Sequence, residues 1–397
     1  MECVAQNGVG TVSNMPLRIA HISDTHLGYE AYPALSPSGN NQRGEDVVRA
    51  LHNAVNDILA WRPDLVVHSG DVLERPKTDI RYMLVAQQLF RKLAAVCPVV
   101  VIAGNHELPR SRKEACWLDL LAGNSNMHVV TNRYEVVRPG ALPGVAIHAV
   151  PHDVLKEIDQ SVIKPSDGEI NILLAHGVAT GSELFLRSLG REYAIEADTL
   201  LRGWDYAALG HWHKQGPVRL GAAGVQNNVW YAGSLENMGF RDVKDNGESR
   251  GYLRVSIEEG SCKINPVHLP IRPMFRLPVV EAGGLEAGDV ANLLTQRLRE
   301  ADVSGAVVGQ VVNGVGRDLW SLVDVAKVRE SAGAALHYEI TVRYENSEIP
   351  AGERGGRGEQ FDAALAASVV EVAPESLREE VLAKARGLVG VHGETVG

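Results

Sequence analysis

Short runs of consecutive apolar residues alternate with longer amphipathic segments along the first 240 residues of the chain. A run without polar alternation predicts a strand that is covered on both faces. Segments 47–60 and 80–95 instead space their apolar residues as amphipathic helices do. The predicted strands occupy residues 17–23, 64–69, 99–103, 145–150, 170–175 and 204–209. This alternation predicts a layered α/β domain over residues 17–266.

The pattern changes near Pro266. Residues 267–345 contain a helical segment at about 290–300, two β-rich segments at 306–312 and 335–344, and a helical stretch at 319–330 between them. We expect a smaller α+β domain there. Residues 346–360 have the Gly, Pro and charge of a linker, and residues 361–397 resemble a helical tail with an apolar stripe. Residues 1–16 precede the first predicted strand, and we expect them to be disordered or dispensable.

Composition narrows the class of protein. Of 397 residues, 45% are hydrophobic and 22% are charged, which is ordinary for a globular protein. No apolar stretch approaches the ~20 residues of a membrane helix, and the N-terminus has no secretory pattern. The four cysteines form no CxxC pair, which favours a cytoplasmic protein without a thiolate zinc site. A net charge of −10 argues against a protein that coats DNA through bulk charge, yet it leaves room for a local basic patch.

Five short motifs carry the candidate chemistry, and most of them directly follow a predicted strand. Each brings a carboxylate, an imidazole or an amide. They are Asp24-Thr25-His26, Gly70-Asp71, Gly104-Asn105-His106-Glu107, His176-Gly177 and Gly210-His211-Trp212-His213. Because ligand sites of α/β sheets lie at the carboxyl ends of strands, these side chains are expected to meet at one edge. The pattern predicts a site for two metal ions.

Hydrolysis of a phosphodiester explains why such residues would be gathered. Two divalent ions about 3.5–4 Å apart can activate a water and offset the phosphate charge. Asp71 is the best candidate to bridge them, because it follows a strand and a glycine that permits a tight turn. Nitrogen and oxygen ligands without thiolate favour Mn²⁺ or Fe²⁺, with Zn²⁺ and Ni²⁺ as alternatives. His106 adjoins a presumed ligand, so its ring is expected to face the substrate and to stabilise or protonate the leaving oxygen.

In order and spacing, the five motifs resemble the calcineurin-like metallophosphoesterase superfamily. The resemblance implies a four-layer β-sandwich flanked by helices and assigns His106 as the catalytic histidine. It also implies two ligand sets that share Asp71. One metal would be held by Asp24, His26, Asp71 and His213, and the other by Asp71, Asn105, His176 and His211.

The sequence around the motifs resembles the SbcD-type DNA repair exonucleases. That resemblance implies a Mn²⁺-dependent 3′→5′ DNA exonuclease with single-strand endonuclease activity, in which residues 267–345 form a capping domain. It further implies a homodimer and a coiled-coil ATPase partner of the SbcC type that binds the tail. Glu74 stands where relatives have Asp or His, so its role stays open. Further candidates for substrate contacts are Arg43, Glu74, Arg110 and His152.

Structural roles and other functions also fit these candidate residues. Charged loop residues are usually only solvated, and His152 in a loop fits a structural role as well as a substrate contact. A small-molecule phosphodiesterase or phosphomonoesterase would use the same metals, and a non-catalytic scaffold could keep the same fold. The added domain and tail favour DNA, because an enzyme for small substrates has little use for them.

Overall fold

Two six-stranded sheets form the larger part of the protein. The computed structural model describes residues 15–109, 114–123, 126–182, 193–243 and 250–345. The strands of this part are β1 Leu17–Ile22, β2 Leu65–His68, β3 Val99–Ile102, β4 Met127–Val130, β5 Glu135–Val137, β6 Val145–Val150, β7 Ile170–His176, β8 Val178–Ala179, β9 Ala194–Ile195, β10 Tyr206–Gly210, β11 Gly216–Leu220, β12 Gly224–Tyr231, β13 Gly251–Glu258 and β14 Ser261–His268. The first sheet has the order β14-β13-β1-β2-β3-β4, and the second has the order β11-β12-β10-β7-β6-β5. Strands β8 and β9 form a short parallel pair outside both sheets.

Apolar side chains from both sheets pack against each other between them. Ile19 and Val67 of the first sheet share this core with Ile147 and Leu174 of the second, and all four are fully buried. Among the described residues, three helices cover the outer faces: α1 Gln42–Trp61, α2 Ile80–Ala94 and α3 Ala197–Leu200. Helices α1 and α2 pack on the first sheet, while α3 and short turns pack on the second. The result is the predicted four-layer arrangement, because each continuous apolar strand has a partner on both faces.

A third sheet and three more helices follow between residues 274 and 344. Their elements are β15 Met274–Arg276, β16 Val280–Glu281, α4 Ala287–Glu300, β17 Val307–Val315, α5 Arg317–Leu322, α6 Val325–Ser331 and β18 His337–Tyr344. Strand β17 pairs in parallel with β15, β16 and β18. The helices bury Val290, Leu294 and Val328 in a core that is separate from those of the first two sheets.

The structure confirms the mixed α/β class and refines two details. The helix expected over 319–330 is broken at Val323, because the Asp324 side chain accepts a hydrogen bond from the Lys327 amide and caps a new helix, α6. Strand β14 continues to His268, past the proposed domain boundary at Pro266, since an edge strand tolerates proline. The predicted N-terminal extension up to residue 14, the linker and the helical tail lie outside the described residues.

Among the described residues, no helix combines the length and apolar character that crossing a bilayer requires.

Candidate metal centre

The seven predicted ligands meet at one edge of the sandwich. Strands β1, β2 and β3 are parallel neighbours in the first sheet, and β7 and β10 are parallel neighbours in the second. Their carboxyl ends therefore point the same way, and every predicted ligand lies at such an end. Asp24 and His26 follow β1, Asp71 follows β2, Asn105 follows β3, His176 ends β7, and His211 and His213 follow β10.

Four of these ligands have a positive φ angle, which residues other than glycine rarely adopt. The φ angle is +48° at Asp24, +50° at His26, +55° at Asp71 and +102° at His211. Neighbouring loops hold this conformation: the Asp24 amide donates to the Gly70 carbonyl and the His26 amide to the Asp71 carbonyl, both at 3.0 Å. Left-handed residues other than glycine are uncommon, and strain of this kind concentrates at functional sites.

Asp24, His26 and His213 form one group of ligand atoms. Each offers one atom, and these atoms lie within 4.8 Å of one another. The Nε2 atoms of His26 and His213 are 3.0 Å apart, and His26 Nε2 lies 3.8 Å from Asp71 Oδ2. Two histidine nitrogens that bind the same ion, each at about 2.1 Å, are separated by about the distance seen between His26 and His213. This donor set therefore fits a divalent metal.

Asn105, His176 and His211 form the second group. Asn105 Oδ1 lies 3.0 Å from both His176 Nε2 and His211 Nδ1. Asp71 Oδ2 is 3.3 Å from His176 Nε2, which places this carboxylate between the two groups. A shared carboxylate of this kind is what a two-metal site needs.

The electrostatics keep the central carboxylate ionised. Burial opposes the charge of Asp71, but the charge and hydrogen bond of His176 outweigh it and hold the pKa of Asp71 well below its usual range. Burial likewise opposes protonation of His176, yet the Asp71 carboxylate raises the pKa of that histidine to about 9. A protonated histidine cannot bind a metal, so a metal ion would have to displace that proton.

Oxygen atoms behind two of the ligand histidines fix their orientation. His213 Nδ1 donates to Asp242 Oδ2 at 3.0 Å, and His176 Nδ1 donates to the Ser69 carbonyl at 2.7 Å. In both rings Nε2 is left to face the ligand cluster. Contacts of this kind set the tautomer and raise ligand basicity. Glu74 Oε2 lies 2.9 Å from His26 Nδ1, but this pair does not form a hydrogen bond.

His106 lies beside the two groups and outside them. Its backbone amide donates to Asp71 Oδ1 at 2.9 Å, which fixes the residue next to the central carboxylate. Its Nδ1 donates to the Glu74 carbonyl at 2.8 Å. Because a carbonyl only accepts, Nδ1 carries a hydrogen and Nε2 is the nitrogen that can exchange a proton. The ring is about one third exposed, at 35%, so a substrate can reach it.

A profile of the calcineurin-like phosphoesterase family matches residues 17–215, a stretch that contains all seven candidate ligands and His106. The chain belongs to that family. The family resemblance drawn from the motifs is thereby confirmed.

Several similar proteins carry the name DNA double-strand break repair protein Mre11. The one from Aeropyrum pernix is 26% identical over 373 residues, which are 85% of this chain and 84% of that protein. The one from Haloferax volcanii is 30% identical over 305 residues, 75% of this chain and 62% of that protein. The one from Halobacterium salinarum is 28% identical over 320 residues, 80% of this chain and 76% of that protein. The similarity to the Haloferax protein thus spans less than two thirds of its length.

In this phosphoesterase, Glu107 organises the loops that carry Asp71 and Asn105. Its carboxylate accepts hydrogen bonds from the amides of Asp71 at 3.1 Å, Leu73 at 2.7 Å and Gly104 at 2.8 Å. Burial and the nearby charge of Asp71 raise the pKa of Glu107 to about 8, against the effect of these amides. Glu107 belongs to the third motif, but the sequence predicts no role for it. Asp242 lies in none of the motifs, and the sequence does not predict it.

Steric constraints explain why two positions of the motifs are glycine. A Cβ atom on Gly104 would lie 2.1 Å from Asp71 Oδ1, and one on Gly210 would lie 2.1 Å from the Ser69 carbonyl oxygen. Backbone from three strands therefore approaches too closely at the centre for any side chain.

The four predicted substrate contacts lie in different surroundings. Arg43 is fully buried and pairs with Asp46 at 2.8 Å, so its guanidinium is engaged within the protein, and a substrate contact stays a prediction. Glu74 lies at the centre, behind His26 and His106. Arg110 lies outside the described residues.

His152 is buried beside the second group of ligands. Its Nδ1 donates to the His176 carbonyl at 3.1 Å, and its ring stacks on Tyr193 with the ring centroids 4.7 Å apart. Burial and the charge of His176 lower the pKa of His152 to about 4. The residue supports the backbone of a ligand, and a substrate contact stays a prediction.

Proposed function

We propose that this phosphoesterase is a metal-dependent nuclease of DNA double-strand-break processing, a 3′→5′ exonuclease with endonuclease activity on single strands. One observation carries the proposal: seven ligand-type side chains from both sheets converge, while His106 is held beside them and outside the cluster. The similar proteins named for double-strand-break repair support DNA as the substrate.

We assign Asp24, His26, Asp71 and His213 to metal position one. Position two comprises Asp71, Asn105, His176 and His211. Their mixed nitrogen and oxygen donors suit Mn²⁺, with Fe²⁺, Zn²⁺ and Ni²⁺ as alternatives. Bound metals would supply charge neutralisation at the phosphate and a water of lowered pKa.

The protein's own residues would orient His106 and protonate the leaving oxygen. The Glu74 carbonyl holds the His106 ring with Nε2 as the nitrogen that can exchange a proton. From there, His106 can donate a proton to the departing 3′-oxygen. Asp71 positions this histidine through its backbone amide, so one carboxylate serves both the metals and the proton donor.

We also propose two protein partners. The predicted ATPase of the SbcC type would bind the tail, which lies outside the described residues. A homodimer would use the apolar side chains that α2 turns to solvent, Ile80 and Leu84, each 58% exposed. An exposed apolar patch of this kind is typical of an interaction site. The cytoplasmic location stays a prediction.

The test compares 3′- and 5′-labelled single-stranded and duplex DNA with bis(p-nitrophenyl) phosphate in a series of metals. We expect Mn²⁺-dependent shortening of duplex DNA from the 3′ end and internal cuts in single strands. Turnover of the small diester without DNA cleavage would instead identify a small-molecule phosphodiesterase. DNA binding without turnover of either substrate would identify a scaffold.

A further inference from the structure

A third histidine lies beside His176 and His211, the two histidines assigned to metal position two. His152, His176 and His211 each offer one ring nitrogen, and these three atoms lie within 4.8 Å of one another. Two nitrogens that bind one ion from opposite sides, each at about 2.1 Å, are about 4.2 Å apart. His152 is therefore near enough to position two to be a ligand, although it belongs to none of the five motifs.

The hydrogen bond of the ring determines which nitrogen His152 can offer to a metal. Its Nδ1 lies 3.1 Å from the His176 carbonyl oxygen, and because a carbonyl only accepts, Nδ1 carries the hydrogen. Nε2 then keeps a free lone pair, and among the described residues no group donates a hydrogen bond to it. His176 itself has the same arrangement, with Nδ1 on the Ser69 carbonyl. This pattern is typical of a histidine that binds a metal.

Further contacts fix the position of His152 in the fold. Its backbone amide donates to the Ala103 carbonyl at 3.1 Å, two residues before Asn105. Its ring stacks on Tyr193 with an interplanar angle of 25°, and it lies at 22° to the His211 ring with the centroids 5.9 Å apart. The residue is only 4% exposed. The ring is thus held beside the ligand cluster by the protein alone.

The tautomer favours a metal over a phosphate as the partner of this ring. Phosphate oxygens only accept hydrogen bonds, and a neutral His152 already donates its one ring hydrogen to the His176 carbonyl. A metal ion instead requires a neutral imidazole with a free lone pair. That is the form in which the His176 carbonyl holds the ring.

We infer that His152 is a fifth protein ligand of position two and that it influences which metal this position selects. With it, position two has three imidazole nitrogens beside one carboxylate and one amide oxygen. Imidazole suits Ni²⁺ and Zn²⁺, whereas oxygen ligands suit Mn²⁺. The inference rests on the ligand assignment in the proposed function, yet it concerns metal binding and is independent of which phosphodiester is cleaved.

Titration of the metal-free full-length protein with Co²⁺ tests the inference, because the visible absorption of bound Co²⁺ reports its ligands and calorimetry reports its affinity. His152→Asn keeps an N–H group for the His176 carbonyl but removes the second ring nitrogen. It should weaken one of two bound ions at least about 10-fold, since even a residue behind a ligand contributes this much. The absorption spectrum should change as well, and the loss of affinity should be larger for Ni²⁺ than for Mn²⁺.

Two further variants assign the effect to a position and control for burial. In an Asp24→Asn background, which disables position one, His152→Asn should weaken the ion that remains. His148→Asn is the matched control, because His148 is a buried histidine of β6 that is hydrogen-bonded to Tyr134 and Asn171 and belongs to none of the described groups of ligand atoms. Its Co²⁺ affinity and spectrum should equal those of the native protein.

A native affinity and spectrum in His152→Asn would overturn the inference and leave His152 as a support of the His176 backbone. Circular dichroism checks that each variant is folded. Should His152→Asn not fold, His152→Ala decides, since added imidazole should restore the native Co²⁺ spectrum, and failure to do so would contradict a ligand role. DNA cleavage by the native protein with unchanged metal binding in His152→Asn would overturn only this inference. Weakened Co²⁺ binding in the variant without DNA cleavage by the native protein would overturn only the proposed function.

Discussion

Each hydrogen-bonded ring at the centre has one nitrogen committed to the protein and one available for chemistry. His106 follows this rule but is not one of the ligands. It contacts Asp71 through its backbone amide and not through its ring. The sequence predicts the ligand residues themselves because they follow strands within short motifs. It does not predict Asp242, which reaches His213 from 29 residues away only after β12 and the loop behind it have packed.

His106→Asn should lower kcat for DNA about 10²- to 10⁴-fold, because the leaving oxygen loses its proton donor. Metal binding should be unchanged, since the ring is not assigned as a ligand. Steady-state cleavage and Mn²⁺ stoichiometry measure the two quantities, with His52→Gln on α1 as the control. Retention of more than a tenth of native activity would remove His106 from the mechanism.

His21 supports the same region as a neutral core residue. Its two ring nitrogens lie 2.7 Å from the Tyr206 hydroxyl and 2.8 Å from Ser69 Oγ. Burial and the nearby charge of His68 lower the pKa of His21 from 6.5 to about 3. Below pH 6.5 the unfolded chain therefore takes up a proton that the folded protein does not.

Acidification should accordingly destabilise the fold. Between about pH 6.5 and pH 3, His21 should contribute a loss of up to about 1.4 kcal/mol in the free energy of unfolding per pH unit. In the metal-free protein, urea unfolding at several pH values should give a shallower pH slope for His21→Asn than for the native chain. Exposed His268→Asn should keep the native slope. Identical slopes for all three proteins would show that His21 does not titrate as a buried neutral group.

At the scale of elements, the sequence predicts those that follow from a local apolar pattern. It does not predict those that depend on pairing with a distant part of the chain. Strands β1, β2 and β3 are continuous apolar runs, so their positions follow from local composition. The hairpin β13–β14 is less obvious: β13 pairs antiparallel with β1, more than 230 residues earlier in the chain, and exposed residues interrupt the apolar pattern of β14. The break between α5 and α6 depends on one cap, Asp324, inside an otherwise helical pattern.

The close approach of strands at the centre gives a prediction for β10. Gly210→Ala would place a Cβ 2.1 Å from the Ser69 carbonyl oxygen and 2.3 Å from Ser23 Oγ, so β10 must move away from the first sheet. We expect a loss of about 1–3 kcal/mol in the free energy of unfolding, as for overpacked cores. The shift should also weaken metal binding, because His211 follows directly.

Gly216→Ala is the matched control, since a Cβ there meets nothing within 4 Å. Urea unfolding and Mn²⁺ titration compare the two variants with the native chain. If Gly210→Ala were as stable as Gly216→Ala and bound metal equally well, the steric explanation for the motif glycine would be wrong.

At the scale of the whole molecule, one arginine ties the third sheet to the first. Arg272, just before β15, pairs through its guanidinium with the buried carboxylate of Asp46 on α1, with Nη2 2.8 Å from Oδ1, and donates to the Gly305 carbonyl at 2.6 Å. Nearby, the Tyr32 ring stacks on His337 of β18 with centroids 3.9 Å apart. The third sheet is therefore held against the part of the chain that carries the metal ligands, where it can shape access to them.

Arg272→Ala should loosen this attachment and leave the metal ligands in place, because Asp46 keeps its contacts with Arg43 and Arg49. If the third sheet positions DNA, cleavage of duplex DNA should fall at least 10-fold while turnover of bis(p-nitrophenyl) phosphate stays within about twofold, since the small diester needs only the metal centre. Arg317→Ala, on the far helix α5 of the same region, is the control and should preserve both rates. A parallel fall of both rates would mean that Arg272 acts through the stability of the fold, and no change in either would show that the attachment does not govern access of DNA.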